Sequence, residues 1–389
     1  MTKFRFHVVS LPHTQTTAEY TSCAYTQKVV KFCKMMKSLG HEVFLYASED
    51  NEAPCDELIT IVTKKEQKKW FGDYDHTKEM FKITWDPALD YWTTPNSRAV
   101  TEIKKRAQPR DFICVIGGLC QKQIADGLPK MMAVEYGIGY YGVFANFCVY
   151  ESYAQMHYVH GQQNNDNGRF FDAVIPNYFD PKDFKFKAKK DDYYLYIGRL
   201  IPRKGVEMAV EATRQIGAKL VLAGQGVERI EGNKIIGHDM TVEGDHVKHM
   251  GHANIQQRAE LMSRAKAVFL CSYYLEPFGG TSIEPLFCGT PVITTDWGAF
   301  PENIIHGKVG YRTRTLGEAV WAAKNLDKLS SPKTIQKYAI DNFGLDRVKY
   351  LYQAYFEQLY TLWDENGWYA NWSKGLSKYK RYEKFYPHG

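Results

Sequence analysis

Apolar positions along the chain fall in short runs separated by longer amphipathic stretches, the pattern of parallel strands joined by helices. Phe4–Leu11 reads as a first strand that stops at Pro12. After a polar segment from His13 to Tyr20, the spacing predicts a helix over about Tyr25–Leu39. Val29, Cys33 and Met36 share one face, and Lys28, Lys31, Lys34 and Lys37 lie elsewhere. Gly40 terminates it, and His41–Tyr46 supplies the second strand. Further strands are predicted at Leu58–Val62, Phe112–Ile116, Met131–Val134 and Ala173–Ile175. Residues 64–95, aromatic and polar with weak periodicity, predict loops or an excursion from the core.

Turn residues from Val174 to Pro181 close this half, and the charged stretch Lys182–Asp192 reads as a linker. The alternation then restarts. Strands are predicted at Tyr193–Ile197, Lys219–Ala223, Val247–Gly251, Ala267–Leu270 and Pro291–Thr294, with helices over Val206–Ile216 and Gln256–Arg264. Residues 224–246 are Gly-rich and polar and carry no assignment. Helical patterns follow at Leu316–Leu326 and Leu345–Trp363, and the Trp-, Tyr- and Lys-rich tail from Gly367 is expected to dock on a domain surface. The expected organisation is α/β with two Rossmann-like, doubly wound domains, 1–181 and 182–355. A helix and tail, 356–389, would pack back on the first.

A length of 389 residues suits two domains. A net charge of +6 suits an anionic ligand but lacks the clear basic stripe of a strong nucleic-acid binder. The small cluster Lys64, Lys65, Lys68 and Lys69 reads as a solvated face. Eight cysteines without a Cys-x-x-Cys pair predict reduced, mostly buried thiols, with neither a disulfide framework nor a zinc site. The amino terminus enters a strand at once, and no apolar stretch approaches the roughly 18 to 20 residues that span a bilayer. These features predict a cytoplasmic protein whose membrane contact, if any, is peripheral.

Chemistry concentrates at two strand ends in the second half. After Ala267–Leu270 comes Glu276-Pro277-Phe278-Gly279-Gly280-Thr281-Ser282-Ile283-Glu284, a loop opening into a short helical pattern. The glycines let a backbone approach a ligand, N–H groups from Gly279 to Ser282 suit an anion, and the two carboxylates suit hydroxyl groups at opposite ends of one bound molecule. After Tyr193–Ile197 comes Gly198-Arg199-Leu200-Ile201-Pro202-Arg203-Lys204-Gly205, where a turn brings Arg199 and Lys204 together. A forked guanidinium and a point-charged ammonium suit a diphosphate.

These motifs, with Cys288-Gly289-Thr290-Pro291-Val292-Ile293 and Asp296-Trp297-Gly298-Ala299-Phe300-Pro301-Glu302, resemble glycosyltransferase family 4, whose members have the GT-B fold. Val174-Ile175-Pro176-Asn177 is similar to the segment before that family's domain linker, and the match is specific over about 174–312. The resemblance implies retaining transfer of a sugar from a UDP-, GDP- or ADP-sugar to a hydroxyl acceptor across the interdomain cleft, with no cofactor or metal required. It implies that Arg199 and Lys204 hold the donor diphosphate and that Gly198, Phe278, Gly279, Gly280 and Thr281 line the donor site. Glu276 would accept hydrogen bonds from the donor sugar and Glu284 from the ribose.

The first half departs from the family pattern. Many relatives carry Gly-Gly where this chain has Pro12-His13, and a histidine where it has Glu135-Tyr136-Gly137, so His13 and Glu135 become candidate acceptor contacts. The acceptor stays open among a glycan, a lipid-linked hydroxyl and a modified nucleic-acid base. Asp73-Tyr74-Asp75 mimics a metal-binding Asp-x-Asp but lacks a preceding apolar strand. A GT-B phosphorylase and a non-catalytic sugar-nucleotide or nucleic-acid binder are the alternative readings.

Overall fold

Runs that are apolar at every position can be buried on both faces, and the chain contains two sets of them. In the computed structural model, which describes residues 2–76, 79, 81–167, 171–237 and 239–364, each set forms a parallel sheet. The first comprises β1 (Arg5–Val9), β2 (Glu42–Ser48), β3 (Glu57–Val62), β4 (Phe112–Val115), β5 (Met132–Ile138), β6 (Phe147–Tyr150) and β7 (Ala173–Val174). Their order is β3-β2-β1-β4-β5-β6-β7, with Phe6 in register with both Val43 and Phe112.

The second half contributes β8 (Tyr194–Ile197), β9 (Leu220–Ala223), β10 (Val227–Glu231), β11 (Lys234–Gly237), β12 (Thr241–Glu243), β13 (Val247–His249), β14 (Val268–Leu270), β15 (Val292–Thr295) and β16 (Gly310–Thr313). Six of these make the second parallel sheet, β13-β9-β8-β14-β15-β16, and β10-β11-β12 make a separate antiparallel one. Strand order reverses between β1 and β4 in one sheet and between β8 and β14 in the other. Such switch points open crevices at the carboxyl ends of the strands, where ligands bind.

Helices cover both sheets: α1 (Ala24–Ser38), α2 (Lys64–Phe71), α3 (Asp90–Arg106), α4 (Lys122–Gly127), α5 (Tyr153–Gln162), α6 (Val206–Gln215), α7 (Ile255–Arg264), α8 (Glu284–Phe287), α9 (Phe300–Asn303), α10 (Leu316–Lys324), α11 (Pro332–Phe343) and α12 (Leu345–Asp364). From Leu345 to Leu359, α12 buries Val348, Tyr352 and Phe356 in the core of the first sheet, beside Phe6, Phe32 and Phe112. The helix therefore belongs with the amino-terminal core along its length, and a boundary at 355 cuts through it. The tail from Gly367 lies outside the described residues.

Three expectations change. Residues 64–95 contain α2 and the start of α3. Thr63 accepts from the Glu66 amide at 3.2 Å while Glu66 accepts from the Thr63 amide at 2.9 Å, a capping box that offsets the weak periodicity. Residues 224–246 contain the antiparallel meander, whose inward positions are few: Ile235, Met240 and Val242 reach the core. Lys28, expected off the apolar face of α1, is buried. All eight cysteines are free thiols and all but Cys55 are buried.

Candidate active site

The switch point of the second sheet sets Arg199, just beyond β8, beside the loop that follows β14. The Pro202–Lys204 turn aims Lys204 back at that loop, where its ammonium pairs with the Glu276 carboxylate over the Tyr274 ring. The turn closes because position 205 is glycine. Gly205 has φ +69°, and a Cβ there would lie 1.9 Å from the Cys271 carbonyl oxygen at the end of β14. Glu276 is fixed in turn by its own carbonyl, which accepts from the Ala299 amide at 3.0 Å.

The two glycines of the loop serve different ends. Gly279 has φ +73°, and a Cβ on it would strike the Phe300 ring at 2.6 Å, so the protein's own packing requires glycine there. A Cβ on Gly280 would meet Phe179 at an ordinary 3.4 Å and its φ is not positive, so the fold does not demand glycine at 280. Gly280 lines the cleft, where a bare backbone leaves room for a ligand. The Ser282 amide does not face outward as expected: it donates to the Gly279 carbonyl at 2.8 Å. The Phe278 ring is buried among Phe179 and Phe343, so it seats the loop from behind while bordering the cleft. At the far end Glu284 pairs with Arg258 of α7.

The opposite wall comes from the first sheet and α1. Lys28 sits 2.6 Å from Glu151, the residue after β6, and also donates to the Gly137 carbonyl at 3.0 Å. The two side chains are only 4% and 5% exposed. Burial pushes the Glu151 carboxyl up, and Lys28 opposes the shift. Tyr25 donates to the Gly139 carbonyl at 2.9 Å and lies under the Lys28 ammonium. His13, on the loop after β1, is buried edge-on to Phe81, and burial lowers its pKa to about 3, so it is a neutral imidazole at pH 7.

Among the described residues several hydrogen bonds join the walls, Gln225 to the His76 carbonyl at 3.5 Å being one and the following being the shorter ones. The Ser152 hydroxyl donates to the Pro277 carbonyl at 2.6 Å, next to Glu276. The Glu302 carboxylate, from α9, accepts from the Tyr153 and Ala154 amides at 2.8 Å each, covering the amino terminus of α5.

The cleft measures about 620 Å³ and brings together Gly198, Arg199, Lys204, Glu276, Phe278, Gly279, Gly280, Thr281, Glu284 and His13. That volume fits a ligand of nucleotide-sugar size. Glu135 is the exception. It is fully buried and accepts from the Phe144 and Ala145 amides at 2.8 Å each and from Tyr140, so it ties the β5–β6 connection and does not reach the cleft. Asp73 pairs with Lys68 at 2.6 Å on an exposed surface. Among the described residues no group of three His, Cys, Asp or Glu side chains could hold a metal ion.

Sequence reasoning did not find Lys28, Lys31, Glu151 or Arg258, all of which line the cleft. A local signal existed for one. Glu151 follows the apolar run of β6 and precedes Ser152, whose hydroxyl caps α5 by accepting from the Gln155 amide at 3.0 Å. The others meet their partners only through the tertiary fold.

Residues 179–340 match the family model of the glycosyl transferases group 1. The glycogen synthase of Mycobacterium tuberculosis is 28% identical over 182 residues, which are 43% of this chain and 42% of that protein; the chain thus spans less than half the length of that curated relative. The sucrose-phosphate synthase from Thermosynechococcus elongatus superposes with a TM-score of 0.65 at 15% identity, covering 92% of this chain and 100% of that one. Anabaena HepE, solved in complex with UDP-glucose, superposes with a TM-score of 0.58 at 16% identity, again over 92% of this chain and 100% of that one. The two facing Rossmann-like domains are a GT-B fold. Among the described residues no helix is long and apolar enough to cross a membrane.

Proposed function

We propose, on the premise that residues 179–340 are a group 1 glycosyl transferase domain, that this protein is a retaining hexosyl- or pentosyltransferase using a nucleotide-sugar donor and a hydroxyl acceptor. One observation carries the reading: Arg199, Lys204, Glu276 and Glu284 converge on a single wall of the cleft, at the switch point of the sheet. Arg199 and Lys204 take the diphosphate, Glu276 the sugar hydroxyls and Glu284 the ribose, with Gly280 leaving room for close approach. The three residues Gly198, Gly279 and Thr281 complete the donor wall.

In the transfer, the bond from the anomeric carbon to the diphosphate oxygen breaks and a bond to the acceptor oxygen forms. The acceptor's proton leaves with the nucleoside diphosphate. Negative charge develops on the leaving group, and cations fixed beside it in advance stabilise that charge as it forms. Arg199 and Lys204 fill the role a metal fills in other transferases, so no metal or cofactor is required. The buried free thiols fit a cytoplasmic setting.

The test is a donor-hydrolysis and binding screen over UDP-, GDP- and ADP-sugars with the purified full chain. One nucleotide series should bind and be turned over slowly, with Glu276→Gln abolishing turnover. Failure of all three series to bind would remove the reading.

A further inference from the structure

The amino-terminal wall carries features that the fold alone does not require. Lys28 and Glu151 are buried as an ion pair in the side of a cavity, where removing two charges from water is costly. The pair borders the cleft, and Gly139 leaves no side chain beside it: a Cβ there would lie 2.3 Å from the Glu151 carboxylate and 3.2 Å from Pro277. Through the adjacent Ser152 and its bond to Pro277, Glu151 is tied to the loop that carries Glu276. Two carboxylates thus face one space from opposite walls.

Beside this pair lies an aromatic surface. Trp85 is 45% exposed, with its ring edge-on to Tyr25 at 6.0 Å and to His13 at 6.5 Å. Phe81 adjoins it through His13, at 5.3 Å. The Trp85 segment is anchored from behind, because Trp92 and Tyr91 both donate to the Thr84 carbonyl at 3.0 Å.

The charge layout separates the walls. Of the cations lining the cleft, Arg199, Lys204 and Arg258 belong to the donor wall. Lys31 points the same way, lying over the Phe179 ring and within electrostatic reach of Glu284 and Asp183. Lys28 is neutralised by Glu151. Among the described residues the aromatic side therefore offers a stacking face and a carboxylate but no unpaired cation for an anionic acceptor.

We propose that this wall is a subsite for a neutral saccharide acceptor, with Trp85 and Phe81 as the stacking face and Glu151, held by Lys28, as the carboxylate that receives the acceptor hydroxyl. Sugar rings present C–H faces to aromatic rings and hydroxyls at their rims, which suits this combination. Glu151 orients the hydroxyl oxygen toward the anomeric carbon and keeps its own charge, since the proton leaves with the diphosphate. The inference rests on the transfer reading above.

The experiment uses the full chain with UDP, GDP or ADP present and glucose, maltose and N-acetylglucosamine as probes. Saturation-transfer NMR reports binding, and donor consumption is measured with and without each sugar. At least one sugar should give saturation transfer and accelerate donor consumption. Trp85→Ala, at an exposed position, should abolish the saturation transfer. Glu151→Gln should reduce the ratio of sugar-stimulated to basal consumption at least tenfold, with Glu151→Asp recovering part of it. No signal from any of the three sugars, a full signal in Trp85→Ala, or an unchanged ratio in Glu151→Gln would each overturn the subsite. So would binding of a single-stranded oligonucleotide in the sugars' place, weakening steeply with salt. Loss of nucleotide-sugar turnover in the wild type would remove the transfer reading; intact turnover without sugar binding would remove only the subsite.

Discussion

Each wall of the cleft is built around a lysine–glutamate pair, and the two pairs differ in their access to water. Lys204 and Glu276 are 20% and 12% exposed at the ends of loops, whereas Lys28 and Glu151 are 4% and 5% exposed and Lys28 is also bound by a backbone carbonyl. Water can stabilise charges that separate on the carboxyl-terminal wall, so that pair can open and, in the proposed function, exchange partners with an arriving diphosphate and sugar. The buried pair has no such recourse and keeps its geometry whether or not a ligand is present. The same chemistry gives an exchangeable clamp on one side and a fixed template on the other.

Removing one lysine from each pair breaks this comparison most directly. Lys28→Met leaves Glu151 buried and unpaired, and should lower stability by roughly 3–5 kcal/mol. Lys28→Met combined with Glu151→Gln should recover much of the loss, because no charge is then stranded. Lys204→Met should leave stability within about 1 kcal/mol of wild type, as expected for a partly exposed pair. Its cost falls on turnover, at least about 100-fold, as for loss of one preorganised contact to a developing anion. Urea unfolding and donor-turnover assays on the three variants decide it. If Lys204→Met proves the less stable single variant, the contrast is wrong.

The walls also differed in how far the sequence disclosed them. The carboxyl-terminal wall is written in consecutive residues: a strand end, a Gly-Gly, and charges at fixed offsets. Local motifs sufficed to single out Arg199, Lys204, Glu276 and Glu284, which the fold brings to one cleft. Even there the partners escaped notice, since Arg258 reaches Glu284 only because α7 packs against α8. The amino-terminal wall is assembled from the distant segments around His13, Lys28, Trp85 and Glu151, and no spacing rule joins them. Helical periodicity put Lys28 off the apolar face, but the residue is buried because the chain after β6 delivers the Glu151 carboxylate to it. Glu135 was the opposite error: a carboxylate at a strand end that the fold spends on two backbone amides. The meander after β9 stayed unassigned because its first strand is largely exposed and shows no apolar alternation.

Acid acts on histidines that burial holds neutral in both halves, His13 and His41 in the first and His249 and His252 in the second. His13 titrates near pH 3 when folded, below its ordinary 6.5, because burial disfavours the imidazolium. Between those values the unfolded chain binds a proton that the folded chain does not, so stability falls as pH drops through this window. At pH 5 the loss from this group is about 2 kcal/mol. His41, lowered to about 4 by burial in the same half, adds a loss of the same sign. His13→Gln should therefore remove one part of the acid sensitivity and leave the rest. Unfolding free energies at pH 7 and pH 5 provide the check, and an identical pH dependence in wild type and variant would contradict the assignment.

The smallest effect concerns the bridge that holds the walls in register. Glu302 covers two amides at the start of α5, and this contact lies at the surface. A carboxylate at a helix amino terminus contributes about 1 kcal/mol, screened by salt. Glu302→Ala touches neither the donor loop nor the Lys28–Glu151 pair, and the Ser152–Pro277 bond remains to hold the same edge. The register of the two walls should thus loosen without either wall being altered. kcat/KM for donor turnover should fall about fivefold at low ionic strength, and the deficit should shrink in 0.5 M salt as the wild-type contact is screened too. A deficit independent of salt would mean that Glu302 acts by packing. No deficit at all would mean that the remaining contacts, Ser152–Pro277 and Gln225–His76 among them, align the walls.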